Sequence, residues 1–297
     1  MREQPAMIRV AVAALAIFCC ACASEAGFDA GRLDAERASK LRACEAAYRA
    51  ESAEYAVLRE ELMSDPVAVH WLTRMFVLDL LRAREGRPLG EDQELLRAAA
   101  GLEDPLERRA AAEIVVLGTR AMPVIAGDLL RHPQPQPREL GIELVGRIGP
   151  AAVEFVLPLV NSTEARERRV AARALGSIGG EGDIERQLAK LAADADFTVR
   201  ADAMRGLARS GESGATTLRA ALANDPDPFV RRAAATSLAR HPGLSTAQAL
   251  VDYLQVCQRA GDFSGEKAAQ ESLLVLAGAK GFRSLASWRE WLQSLPR

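Results

Sequence analysis

The stretch Arg200-Ala-Asp-Ala-Met-Arg-Gly-Leu-Ala-Arg-Ser-Gly211 decides the fold of this 297-residue chain. Ala203 and Leu207 stand three and seven residues after Arg200, so they share one face of a helix. Asp196, four residues before Arg200, stands where the first N–H groups of that helix need an acceptor. The frame recurs along the chain. Arg108, Arg138, Arg168, Arg200 and Arg231 are separated by 30, 30, 32 and 31 residues. Three residues after each anchor stand Ala111, Gly141, Ala171, Ala203 and Ala234, and seven after stand Val115, Val145, Leu175, Leu207 and Leu238. Leu129, Leu159, Leu191 and Leu222 lie nine before the last four anchors and mark a second helix in each unit.

Each position has a physical reading. The small residue lets neighbouring helices approach, and the aliphatic one fills the gap between layers. Asp104, Glu164, Asp196 and Asp227 sit four before their anchors as helix caps, with Gln134 the exception. Asp104-Pro105 and Asp227-Pro228 add proline at the first helical position, where its missing N–H costs nothing. Gly118, Gly149, Gly179 and Gly211 are predicted to end the first helices. Helix pairs at this period stack, because no single pair can bury its own apolar face.

Segments such as Arg200 to Gly211 and Arg231-Arg-Ala-Ala-Ala-Thr-Ser-Leu238 resemble HEAT-like repeats of the short class also seen in phycobilisome lyases. The resemblance covers about residues 104 to 277. It implies an all-α fold, a right-handed α-solenoid of antiparallel helix pairs with the second helices lining a concave face. It also implies that the anchor arginines pair with acidic residues between repeats, in place of forming a ligand-binding row.

The flanks complete the solenoid. Ser64-Asp65-Pro66 starts a helix reaching about Arg84, with Val69, Leu72, Phe76, Leu80 and Leu81 suited to burial. With a second helix over Glu91 to Ala100, residues 64–103 read as an N-terminal cap repeat ahead of regular repeats at 104–260. Before it, 24–63 reads as an amphipathic helix whose seam is Leu41, Cys44, Tyr48, Tyr55, Leu58 and Leu62, interrupted by Glu51. That seam suits either packing on the solenoid or a self-associating stalk. Residues 261–297 hold a degenerate repeat with Glu266 at the anchor position, Cys257 standing nine before it at the buried leucine position, and then a helix carrying Trp288 and Trp291. The two tryptophans fit a cap over the last layer or a docking patch.

The N-terminus carries an address. Arg2 and Arg9 precede an apolar run from Val10 to Ala21 that is short for a bilayer span, so 1–23 reads as a signal peptide. Two processing outcomes fit it. Cys22 resembles the lipid-bearing cysteine of a bacterial lipoprotein, although Cys19 replaces the usual leucine three residues before. Cleavage after Ala23 would instead release a soluble periplasmic or secreted chain. Ala23 and Ser24 lack the aspartate linked to inner-membrane retention, which favours the outer membrane for a lipidated form.

The chemical inventory is thin. His70, His132 and His241 are the three histidines, and none belongs to a zinc or nucleophile motif. Gly179-Gly180-Glu181-Gly182-Asp183 lacks the Lys-Ser/Thr of a phosphate loop. With 38 basic and 40 acidic residues, no overall field attracts nucleic acid. The expectation is a non-catalytic envelope scaffold that binds another protein, with no cofactor, metal or nucleic acid, and that meets a membrane through its lipid alone. The apolar helix Ala151 to Val160 offers Phe155 and Val156 as a candidate partner-binding surface on the second-helix row. The alternative, from the resemblance, is a lyase or a tetrapyrrole-handling protein.

Overall fold

The computed structural model describes residues 35–84, 105–278 and 284–295, and every regular element among them is helical. The signal segment with Cys22, the helix expected over 91–100 and the Asp104 cap lie outside the described residues. The chain divides into two compact units, Met1–Asp79 and Leu80–Arg297.

The first unit holds α1 (Ala35–Arg49), α2 (Glu54–Leu62) and most of α3 (Pro66–Ala83). One helix was expected across the tyrosine seam, and two are found. Glu51 adopts a left-handed backbone with φ of 54°, which ends α1 and lets α2 pack back on it. Leu41, Cys44, Tyr48, Tyr55 and Leu62 are consequently buried inside the unit, while Leu58 stays half-buried. The Tyr48 ring lies 5.3 Å from Tyr55 and 5.1 Å from Phe76. A seam filled this way offers no free stripe for a self-associating stalk. Asp79, 1% exposed, is held by Arg49 at 2.6 Å.

The second unit is an α-solenoid. Its first helices are α4 (Pro105–Leu117), α6 (Pro135–Ile148), α8 (Ala165–Ile178), α10 (Phe197–Gly206), α12 (Pro228–Leu238) and α14 (Phe263–Leu276). Its second helices are α5 (Met122–Val124, continued by the π turn Ile125–Leu129), α7 (Val153–Val160), α9 (Asp183–Leu191), α11 (Glu212–Asn224) and α13 (Leu244–Ala260). Each first helix packs on the next first helix, and each second helix from α7 to α13 on the next second helix. Two parallel rows result. The final helix α15 (Leu285–Ser294) packs on α13.

The repeat positions explain the stacking. Val145, Leu175, Leu207 and Leu238 are fully buried, as are Ala111, Ala171, Ala203 and Ala234 to within 1%. Val115 departs from the frame, being 43% exposed while Ile114 beside it is fully buried. The register of this first repeat is therefore set by Glu107, one residue before Arg108. Small residues bring the helices together: a methyl group on Gly206 would meet Leu188 Cδ2 of α9 at 2.7 Å and the Ala172 carbonyl of α8 at 3.2 Å, and one on Gly176 would meet the Gly206 Cα at 2.6 Å.

Caps follow chemistry more than position. Asp196 accepts from the Thr198 and Val199 N–H groups, Asp227 from Phe229, and Asp262 from Gly265. Glu164 and Gln134 occupy the same place without a side-chain cap bond. Gly118, Gly149 and Gly179 end helices at φ of 56°, 80° and 68°. Gly211 does not. Its φ is −80°, it precedes α11, and α10 ends instead through the 3-10 turn Leu207–Arg209. The helical run Pro105–Leu129 is long and apolar enough by composition to cross a bilayer. Left-handed Gly118 turns the chain within it, and Ala110, Ile114, Leu117, Ile125 and Leu129 spend that apolarity in the core.

Candidate interaction surface

The anchor arginines point along the loops that join repeats. Arg138, Arg168, Arg200 and Arg231 each donate Nη1 to the carbonyls of the residues six and five before them. Arg168 also forks onto both oxygens of Asp194, at 2.6 and 2.9 Å, and Arg200 onto both of Asp225, at 2.8 and 3.0 Å. Each aspartate sits in the next loop, so the pair straps one repeat to its neighbour. The Arg168 hydrogen bond holds the Asp194 carboxyl below the ordinary aspartate range, against burial. Burial raises Asp225, and the Arg200 bond more than reverses it. Ser162 and Ala260 stand where Arg138 and Arg231 would meet the same aspartate, so the strap covers the middle repeats. These arginines hold loops, and Arg168 and Arg200 tie neighbouring repeats together.

A second charge lattice crosses the outer face of the first helices. Arg84 pairs with Glu107 and Glu143, both at 2.7 Å, and Arg173 pairs with Glu139. Burial acts against the Glu143 anion, but Arg84 and Arg147 hold its carboxyl below its usual value. Asp202, 3% exposed, lies between Arg169 at 2.9 Å and Arg205 at 2.6 Å. Arg205 then stacks 4.9 Å from the centroid of the Phe229 ring, with Arg232 5.8 Å from the same centroid. Phe197 meets Phe229 edge-to-face at 6.3 Å. Both rings are exposed, at 45% and 36%, and Phe263 is 81% exposed at the start of α14.

The sequence-predicted surface residues fare differently. Val156 is fully buried and Phe155 half-buried, because α7 packs against α8 and α9. Val156 is thus a core residue, and of the two expected binding residues on α7 only Phe155 keeps partial exposure. Trp288 and Trp291, 1% and 8% exposed, close edge-to-face at 5.6 Å. They are packed into the end of the stack and do not form a docking patch. Cys257 is buried beside Tyr253 and Asp262, and burial raises the thiol. His241 Nε2 lies 3.1 Å from the Leu207 carbonyl and His132 Nδ1 accepts from the Gln134 N–H at 3.1 Å, so both tie turns. Among the described residues, no three His, Cys, Asp or Glu side chains converge as metal ligands.

With the geometry in place, comparison with known proteins bears on the repeat. Residues 184–261 match the family model for HEAT repeats. These repeats are HEAT-like. The crystal structure of an engineered protein is similar at 21% identity and a TM-score of 0.37, over 68% of this chain and 97% of that one. No curated protein matches the chain.

The exposed aromatics were missed in the sequence. The signal is there: Phe197, Phe229 and Phe263 each follow a capping aspartate by one or two residues. A residue at that point precedes the buried face of the helix, so its ring is left at the loop edge.

Proposed function

We propose that the chain is a non-catalytic scaffold that binds a protein partner through the surface of its HEAT-like solenoid. One observation supports this above the others: three first helices present arginines and aromatic rings on one exposed face, Arg169 and Arg173 on α8, Phe197 and Arg205 on α10, and Phe229 and Arg232 on α12. A face shared by three neighbouring helices suits an extended partner. Two open clefts lie by the loops, one of them floored by Ala189, Ala193, Ala220 and Ala221.

In this reading the chain is exported and lipidated at Cys22, which tethers the solenoid to the periplasmic side of the outer membrane. The N-terminal charge, apolar run and cysteine support it. Labelling with a palmitate analogue is expected for the wild type and absent for Cys22→Ser; equal labelling of both contradicts lipidation there. The binding role is tested by cross-linked capture from native envelopes, followed by reconstitution from purified components. A stoichiometric partner that re-forms the complex is the expected result. Capture of none, under cross-linking, contradicts the scaffold.

A further inference from the structure

We infer that the outer face of α8, α10 and α12 is the docking site for an acidic segment of the partner protein, seated on the Phe229 ring and its two stacked arginines. This rests on the scaffold reading and names the face and the chemistry it takes.

The charge of the repeats is segregated by layer. The first-helix segments 165–178, 197–209 and 228–240 carry ten arginines against two acidic residues, Glu167 and Asp202. The intervening segments 179–196 and 210–227 carry eight acidic residues against Arg186, Lys190 and Arg219. Near-neutrality of the whole chain hides this separation. Arg168 and Arg200 are spent on the loop aspartates, yet the outward set remains cationic. Two arginines share the single carboxylate of Asp202, and Arg232 forms no carboxylate pair among the described residues. The face attracts anions.

Its geometry selects carboxylates beside apolar side chains. A guanidinium lying on an aromatic ring keeps its in-plane N–H donors free, and those donors fit a carboxylate two at a time. Arg205 and Arg232 flank Phe229 in this way, so the fork is already oriented before a partner arrives. Asp202 fixes Arg205 from beneath without consuming all of its donors. The exposed Phe197 and Phe229 rings, locked edge-to-face, give the apolar side chains of the same segment a rigid floor. A long phosphate backbone fits less well, because the capping carboxylates of Asp196 and Asp227 stand at the loop edge just before Phe197 and Phe229. The same carboxylates repel an anionic bilayer.

The test uses the full chain and a short fluorescein-labelled peptide of alternating Glu and Leu, read by fluorescence anisotropy. Oligothymidylate and phosphatidylglycerol vesicles serve as competing probes. The peptide is expected to bind, to weaken as salt rises, and to lose roughly tenfold or more in affinity with Arg232→Glu or Phe229→Ser. Arg232 is half-buried and Phe229 partly exposed, so both variants should still fold cooperatively, and Arg232→Gln, which removes the charge alone, should also lose affinity. Thr216→Glu, on α11 in the other row, should bind as wild type does. An absent peptide signal, equal binding by the variants, or tighter binding of the oligonucleotide or vesicles overturns the assignment. The captured partner separates the two levels of the reading. A partner that binds Arg232→Glu undiminished leaves the scaffold standing and removes this face, whereas no partner removes the scaffold itself.

Discussion

Single residues test the loop strap most sharply. Asp194→Asn keeps the shape but removes the charge that Arg168 grips, and should cost on the order of 1–3 kcal/mol at neutral pH by thermal or urea unfolding. The pH dependence has a defined sign. Asp194 is held below its ordinary range in the folded chain, so its contribution is complete above the unfolded value of about 3.9 and fades as pH falls through the folded one. The difference between wild type and Asp194→Asn should therefore be flat from neutrality to about pH 5 and close toward pH 3. A gap that persists at low pH contradicts the charge explanation. Leu207→Asp acts through another mechanism, an unpaired carboxylate in a fully buried site, and should cost several kcal/mol. What the sequence reveals at this scale is the inward-facing set. Leu175, Leu207 and Leu238 lie where their spacing puts them, because burial enforces the helical period. Outward-facing residues obey no such constraint, which is why Arg232 leaves no trace in the spacing and Phe229 is marked only by the capping Asp227 two residues before it.

At the level of helices, close approach decides the stacking of α8 on α10. Gly206→Ala should destabilise by about 1–3 kcal/mol, because its methyl group meets Leu188 and the Ala172 carbonyl. Gly127→Ala is the contrasting case. Nothing lies within 4 Å of a methyl group there, and its φ is ordinary, so the change should stabilise by about 0.5–1 kcal/mol. Melting temperatures moving in opposite directions for the two variants would establish that crowding, and not glycine content, is responsible. Two helix-scale expectations needed the structure to correct them. The first repeat is keyed by Glu107, and a hint was present: Gly118 follows Glu107 by eleven residues, as Gly149 and Gly179 follow Arg138 and Arg168. The α7 stripe looked exposed because a sequence shows how apolar a helix is, and not how many neighbours share it. α8 and α9 cover Val156, so a charge there should unfold the repeat before it could report on binding.

Across the whole molecule, stability is a chain of neighbour contacts, and the last layer needs closure. Trp288, the buried tryptophan of α15, closes it as α15 packs on α13. Trp288→Ala should cost about 3–5 kcal/mol and raise hydrogen exchange first in α13 and α14, with the middle repeats protected. Uniform loss of protection along the solenoid would instead indicate a single cooperative unit. Charge is organised at this scale too. A nearly neutral chain separates into a cationic row of first helices and acidic segments between them, and the binding proposal depends on that separation surviving in solution. The measurement that reaches it most directly is site-specific photo-cross-linking in living cells, with a benzoylphenylalanine placed at position 229 and, in a second strain, at position 216. The account predicts one discrete protein adduct from 229, with an acidic segment at the cross-link, and little or none from 216. An adduct formed only from 216, or none from either position, would contradict it.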